Sequence, residues 1–186
     1  MADPTPDPTS DQTVPFRRRL IKGGILILFA LLLALAAFLR DRPAHADSDL
    51  PVPRFVSIKS SPANVRRGPG RDHEILWVYR QAPLPVEIIA EHQDWRRIRD
   101  WDGDEGWIYQ ALLSSRRSVI VTGQTATLRA APDPAAAAVA LAEPGVVANL
   151  VRCDGDWCEV EADGRDGWVT RDAVWGVYPD EAVGND

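Results

Sequence analysis

The sequence predicts an all-β protein: two small barrels in tandem, behind an amino-terminal hydrophobic helix. Three observations carry that reading. From about residue 55 onward, short β-branched and apolar runs alternate with turn-forming pairs. The same landmarks occur twice in order, which is the signature of a duplicated unit. No stretch after Leu39 holds a persuasive helical period, and the Ala-rich piece Pro134–Leu141 aligns with His73–Tyr79 of the first copy as a loop and short strand.

The amino-terminal elements come first. Residues 1–22 form a Pro-, Asp- and Thr-rich tail that ends in Arg17-Arg18-Arg19 and Lys22, too polar to compensate for its own ordering. Residues 23–46 begin with an uncharged run, Gly23 to Leu39, near the lower edge of the length that spans a bilayer as a helix. The cations on its amino side place that end in the cytoplasm and the rest of the chain outside. Two outcomes fit. Ala44-His45-Ala46 offers small residues to a signal peptidase, which would release a chain starting at Asp47. Uncleaved, the same segment is a single-pass membrane anchor. The Arg17–Lys22 stretch also resembles a twin-arginine export pattern, although the strongly apolar core suits the general secretory route equally well. Each route leads to the periplasm or cell envelope, and the membrane is met only through this segment.

The two copies span residues 55–115 and 118–178, followed by a tail at 179–186. Asn64-Val65-Arg66 recurs as Thr127-Leu128-Arg129, and Asp94-Trp95-Arg96-Arg97-Ile98 recurs as Asp156-Trp157-Cys158-Glu159-Val160. Gly106-Trp107-Ile108 recurs as Gly167-Trp168-Val169. His92-Gln93-Asp94 and Asp154-Gly155-Asp156 read as hairpin turns, and Asp102-Gly103 and Asp163-Gly164 mark a second hairpin in each copy. Only about Ser114 to Val119 separates the copies, without the composition of a free linker, so they are expected to pack rigidly.

Cys153 and Cys158 are the only cysteines, and they flank the Asp154–Trp157 turn. Two thiols with no histidine nearby do not make a metal site, and the spacing is not Cys-x-x-Cys. In an oxidising compartment the pair reads as a disulfide across the neck of a hairpin. Their counterparts in the first copy are Glu91 and Arg96, an acid and a base that could pair across the same two strands.

The Asn-Val-Arg and Thr-Leu-Arg openings, the Asp-Trp-x-x-Ile/Val centres and the Gly-Trp-Ile/Val ends together resemble the bacterial SH3-like domains. The resemblance covers about Phe55 to Leu113 and Val119 to Val177. The first copy, with Asn64-Val65-Arg66-Arg67-Gly68-Pro69-Gly70, is the sharper match, whereas Thr127-Leu128-Arg129-Ala130-Ala131-Pro132 lacks both glycines. The resemblance implies SH3-like barrels and a binding role in envelope or secreted proteins, towards wall peptides or proteins.

Charge and motif content narrow the function. The chain carries a formal net charge of −6. Asp47–Arg117 holds 11 basic and 11 acidic residues, but Ser118–Asp186 holds 4 basic against 12 acidic, which argues against a nucleic-acid partner. There is no Gly-x-Ser-x-Gly, no phosphate-cradling glycine loop and no zinc-ligand spacing, so neither catalytic residues, a metal nor a cofactor is expected. Binding candidates come from arginines and aromatics. Trp95, Trp107, Trp157 and Trp168 recur and are expected in the core. Trp77, Tyr79, Trp101 and Tyr109 have no aromatic counterpart and are expected to line a surface groove with Arg66, Arg67 and Arg71. Such a surface suits carboxylate-bearing peptides, including peptidoglycan stems, through bidentate pairing and stacking. The expected partner is a cell-wall polymer or, alternatively, an envelope protein that the chain scaffolds.

Overall fold

A computed structural model describes residue 48 and residues 50–184. The amino-terminal tail, the hydrophobic segment and the cleavage site lie outside the described residues. The first unit contains β1 (Arg54–Ile58), β2 (Ala63–Arg66), β3 (Ile75–Tyr79), β4 (Leu84–His92), β5 (Trp95–Arg99), β6 (Glu105–Tyr109), a 3-10 turn η1 (Gln110–Leu112) and β7 (Leu113–Ser114). The second repeats it with β8 (Ser118–Val121), β9 (Ala126–Arg129), β10 (Ala138–Ala142), β11 (Val147–Asp154), β12 (Trp157–Ala162), β13 (Arg165–Thr170), η2 (Arg171–Ala173) and β14 (Val174–Trp175). Each unit is one antiparallel seven-stranded sheet, in the order β3-β2-β6-β5-β4-β1-β7 and β10-β9-β13-β12-β11-β8-β14. Shifting every label by seven turns one order into the other, so the repeat is a repeat of topology.

Strand alternation explains which residues face inward. In β2 and β9 the pattern is the same, with Ala63 and Val65, or Ala126 and Leu128, buried and their neighbours half-exposed. Ile58, Val86, Ile98 and Ile108 join Val65 in the first core, while Val119, Val160 and Val169 join Leu128 in the second. Bulges recur too. The register slips between Ile88 and Ala90 in β4, and between Leu150 and Arg152 in β11, bending both long strands at equivalent points.

The glycine of each Gly-Trp-Ile/Val motif is set by close approach rather than by its own dihedrals. A Cβ on Gly106 would meet Val65 Cγ1 at 2.4 Å, and one on Gly167 would meet Leu128 Cβ at 2.9 Å. The bare backbone there lets β6 cross β2, and β13 cross β9, at a distance no side chain permits. The second hairpins differ between units. Asp163 and Gly164 both have positive φ, 52° and 73°, the two-residue Asp-Gly turn that matches strand twist. In the first unit the loop is longer, and buried Asp100 organises it. Its Oδ1 accepts from the backbone N–H groups of Asp102 (3.1 Å) and Asp104 (2.9 Å), and its Oδ2 accepts from the Tyr79 hydroxyl (2.7 Å).

Cys153 and Cys158 face each other across β11 and β12 and are bonded through sulfur. Both are buried within the second core. Glu91 and Arg96 occupy the same cross-strand position in the first unit, with Arg96 Nε 3.1 Å from Glu91 Oε1. The pair is not exposed: the side chains retain 3% and 7% of their surface. Arg54 and the Ser48 hydroxyl also donate to Glu91, and Arg96 donates to Gln93 O, Trp95 O and Gln110 Oε1. A buried charge pair needs such added partners to offset desolvation. Burial pushes the Glu91 carboxyl up, but the hydrogen bonds from Arg54 and Ser48 and the two guanidinium charges outweigh it, holding the group below the usual glutamate range.

The units pack directly on each other. Ser57 and Ser118 share a buried hydroxyl–hydroxyl hydrogen bond of 2.6 Å, pinning β1 to β8. Phe55 lies 4.8 Å from the Trp175 ring and 4.6 Å from Tyr178, with the Arg117 guanidinium 5.7 Å from its centroid. The Tyr178 hydroxyl donates to Glu87 Oε1 at 2.8 Å, across the junction. The segment set apart as a tail takes part as well. Glu181 receives Arg117 at 2.6 and 3.0 Å, and Val183 O accepts from Cys153 N at 3.1 Å.

Candidate functional site

The recurring tryptophans divide: Trp95 and Trp168 are buried as expected, and Trp107 and Trp157 only partly. The first core cluster is aliphatic apart from Tyr79 and the second apart from the disulfide, and none of Trp95, Trp107, Trp157 or Trp168 is a member of either. The reason is parity. Trp95 sits three residues before Ile98 on one strand, and Trp107 sits next to Ile108 on another, so ring and aliphatic must point to opposite faces. The aromatics without counterparts are displaced in the opposite sense. Tyr79 is buried in the first core, and Trp77 and Trp101 pack against it, so these three do not line a surface groove. Burial and then the hydrogen bond to Asp100 raise the Tyr79 hydroxyl well above the ordinary tyrosine range.

Of the expected surface set, Arg66, Arg71 and Tyr109 do come together. They line a groove of about 360 Å³ with Asn64, Trp95 and Leu112. Strand β5 supplies Trp95 and β6 supplies Tyr109, which pair across the ladder with ring centroids 5.7 Å apart at 60°. The Arg71 guanidinium caps Tyr109, 5.7 Å from its centroid. Trp95 is the member that sequence reasoning missed, and strand parity was the signal that could have found it.

The three loop arginines have different tasks. Arg66 donates through Nη1 to the His73 carbonyl at 2.7 Å, closing the loop that carries Arg71. Arg67 lies outside the groove and pairs with Glu74 at 2.8 Å in full exposure, where such pairs contribute about 0–1 kcal/mol. Arg71 alone of the three makes no hydrogen bond or ion pair among the described residues, leaving its planar donor face open.

The second unit builds the same loop without glycine. Arg129 Nη1 donates to Ala136 O at 2.8 Å, Ala130 N to Ala137 O at 2.9 Å, and Asp133 N to Ala131 O at 2.8 Å. The matching backbone bonds in the first unit are Arg67 N to Glu74 O and Gly70 N to Gly68 O, both 3.0 Å. At Gly68 a Cβ would lie 2.7 Å from the exposed His73 ring, which would have to swing aside. Beside Trp157 the second unit has its own, larger groove of about 760 Å³, which includes Thr170, Asp172, Pro179 and Asp180. Thr170 pairs with Trp157 as Tyr109 pairs with Trp95, and Pro134 stands in line with Arg71. Arg171 is spent on the Gly155 and Tyr178 carbonyls. The place therefore recurs, but its stacked arginine does not.

Among the described residues, no group of three or more His, Cys, Asp or Glu side chains is placed to hold a metal ion. A family model for the bacterial SH3 domain matches the chain twice, over residues 59–115 and 122–176. No curated protein matches the chain. Among solved structures, NlpC2 from Trichomonas vaginalis is similar at 11% identity and a TM-score of 0.32, covering 72% of this chain and 51% of that one. NlpC1 from the same organism is similar at 13% identity and a TM-score of 0.30, covering 69% and 48%. The chain spans about half the length of either, a likeness too distant to carry chemistry from one to the other.

Proposed function

The chain belongs to the bacterial SH3 domain family, and on that premise we propose that it is a non-catalytic, exported binding protein of the cell envelope that grips peptidoglycan or other wall peptides. The observation that supports this reading best is the open Arg71 guanidinium stacked on Tyr109 in the groove beside Trp95. A carboxylate-bearing peptide would pair its carboxylate with Arg71 and lay its backbone along the two rings. The second unit, with its acidic and apolar groove, contributes contact area rather than carboxylate recognition.

A protein-interaction role in an envelope complex is the second reading. It is favoured by exposed apolar side chains on the free edge strands: Ile75 and Leu76 on β3, Val139 and Leu141 on β10.

The test is co-sedimentation of the full chain, in a neutral detergent, with insoluble peptidoglycan at low and high salt. Wall binding predicts retention that Arg71→Ala weakens and Arg67→Ala leaves unchanged. No retention at either salt would remove the wall reading and turn attention to the β3 and β10 edges.

A further inference from the structure

A second concave site lies at the junction of the two units, away from the aromatic groove. It has a volume of about 490 Å³, within the range of small-ligand sites. Lys59, directly after β1, forms part of its wall with Ser114 of β7, Arg116 and Arg117 of the connecting segment, and Asn149 of β11. No carboxylate lines it.

The cations there are unequal. Arg117 is committed through both Nη atoms, to the Glu181 carboxylate and the Gly176 carbonyl, but its Nε–H is buried with no acceptor. Lys59 and Arg116 form no ion pair among the described residues. Two uncompensated positive charges thus share one cleft, on the border of a unit whose own residues sum to a strongly negative charge. A solvated lysine or arginine on a convex surface is ordinary. Inside a concavity with low-dielectric walls, the same charges focus their field on whatever enters.

We propose that this cleft is an oxyanion site built jointly by the two units, which takes one phosphate-sized group through the Lys59 ammonium and the Arg116 guanidinium. The Ser114 hydroxyl, which accepts from Arg116 N, and the Asn149 side chain, whose amide donates to Glu161, are polar neighbours in the wall. The shared chemistry is a compact tetrahedral phosphate oxyanion, free in solution or carried as the monoanionic diester of a polymer chain. The site exists only when both units are docked, because Asn149 comes from the second unit and Lys59 from the first.

Inorganic phosphate is the first probe, titrated into the full chain in neutral detergent at fixed ionic strength. Backbone amide NMR shifts at Lys59, Arg116, Arg117 and Asn149 should move together and saturate. Lys59 is the only lysine after Lys22, so amine acylation read by mass spectrometry gives an independent signal: phosphate should slow Lys59 severalfold and leave Lys22 unaffected. The double variant Lys59→Gln with Arg116→Gln should bind about tenfold more weakly or worse, as expected when two charge-assisted contacts are lost. Arg71→Ala should bind phosphate normally, which separates this site from the groove. A glycerol-phosphate trimer that saturates at lower concentration than phosphate indicates a polymeric source, and equal affinity indicates a free anion. Shifts that never saturate, shifts spread over the other surface arginines, or undiminished binding in the double variant would overturn the proposal.

Discussion

Replacing Gly106 with alanine should destabilise the first unit chiefly through its clash with Val65, with the Arg66 carbonyl and the Trp77 ring as looser neighbours. The new Cβ would lie 2.4 Å from Val65 Cγ1 and 3.2 Å from the Arg66 carbonyl oxygen. Val65 is fully buried and cannot swing away, and the carbonyl belongs to the strand itself. Overpacking of this kind typically costs about 1–3 kcal/mol, and the short distance to a confined methyl places Gly106→Ala near the upper end. Gly167→Ala offers an internal scale, because its Cβ meets Leu128 at 2.9 Å and the Arg129 carbonyl at 3.4 Å, and should cost nearer the lower end. Val65→Ala alone removes buried methyl groups and should cost about 2 kcal/mol. Combined with Gly106→Ala it also removes the severest of the clashes, so the double variant should be more stable than the sum of the two single losses predicts. The measurement is a double-mutant cycle in chemical denaturation, followed by tryptophan fluorescence. Distant, independent sites add to within about 0.3–0.5 kcal/mol. Additivity to that margin here would refute the close-approach account and assign the glycine to backbone flexibility instead.

Other outcomes follow from the same contacts. Cys153→Ser with Cys158→Ser should lower unfolding stability by about 2 kcal/mol, the chain-entropy value for so short a loop, and a reductant should have no effect on that variant. Glu91 is held below its ordinary range in the folded chain, so its contribution is complete above the unfolded glutamate pKa and is lost as pH falls through the folded one. Glu91→Gln should therefore flatten the acid limb of a stability–pH profile and lose stability chiefly at neutral pH. Tyr79 and Tyr178 are both raised by burial first and by their Asp100 and Glu87 acceptors second. In an ultraviolet titration neither should ionise in the ordinary tyrosine range until the fold is lost. Arg66→Ala should speed amide exchange at Arg67, whose N–H donates to Glu74 O, because it removes the side-chain bond that helps close the loop.

Much of this architecture could be read in the amino-acid order, because the repeat tied each turn to a counterpart. The pairing of Cys153 with Cys158, and of Glu91 with Arg96, followed from placing both around one two-residue turn. The burial of Glu91 did not, since it depends on Arg54 and Ser48, which lie far away in sequence. Recurrence was a poor guide to the aromatics. It marks what both units need, and both need an outward-facing indole over the β5–β6 or β12–β13 ladder as much as they need a core. Of the rings without a counterpart, Tyr79 fills and Trp77 packs on the first core where Ala142 and Ala140 stand in the second unit, a difference of volume that a comparison of motifs does not register. The grooves were half legible: Arg66, Arg71 and Tyr109 were legible as residue types, but Trp95 required strand parity, and the task of Arg66 required its partner His73 O.

The hydroxyl pair at Ser57 and Ser118, with Phe55 held between Trp175, Tyr178 and Arg117, also fixes the distance between the two grooves. Units on a floppy tether sample many separations, and the effective concentration of the second site falls as the tether lengthens past the span. Units locked face to face offer one separation. A polymer that presents a carboxylate to the Arg71 groove and a second contact segment at that interval would meet the second groove already in place, and one with a different spacing would be held by the first groove alone. Discrimination between chemically identical polymers by their periodicity would then reside in the junction and in neither groove.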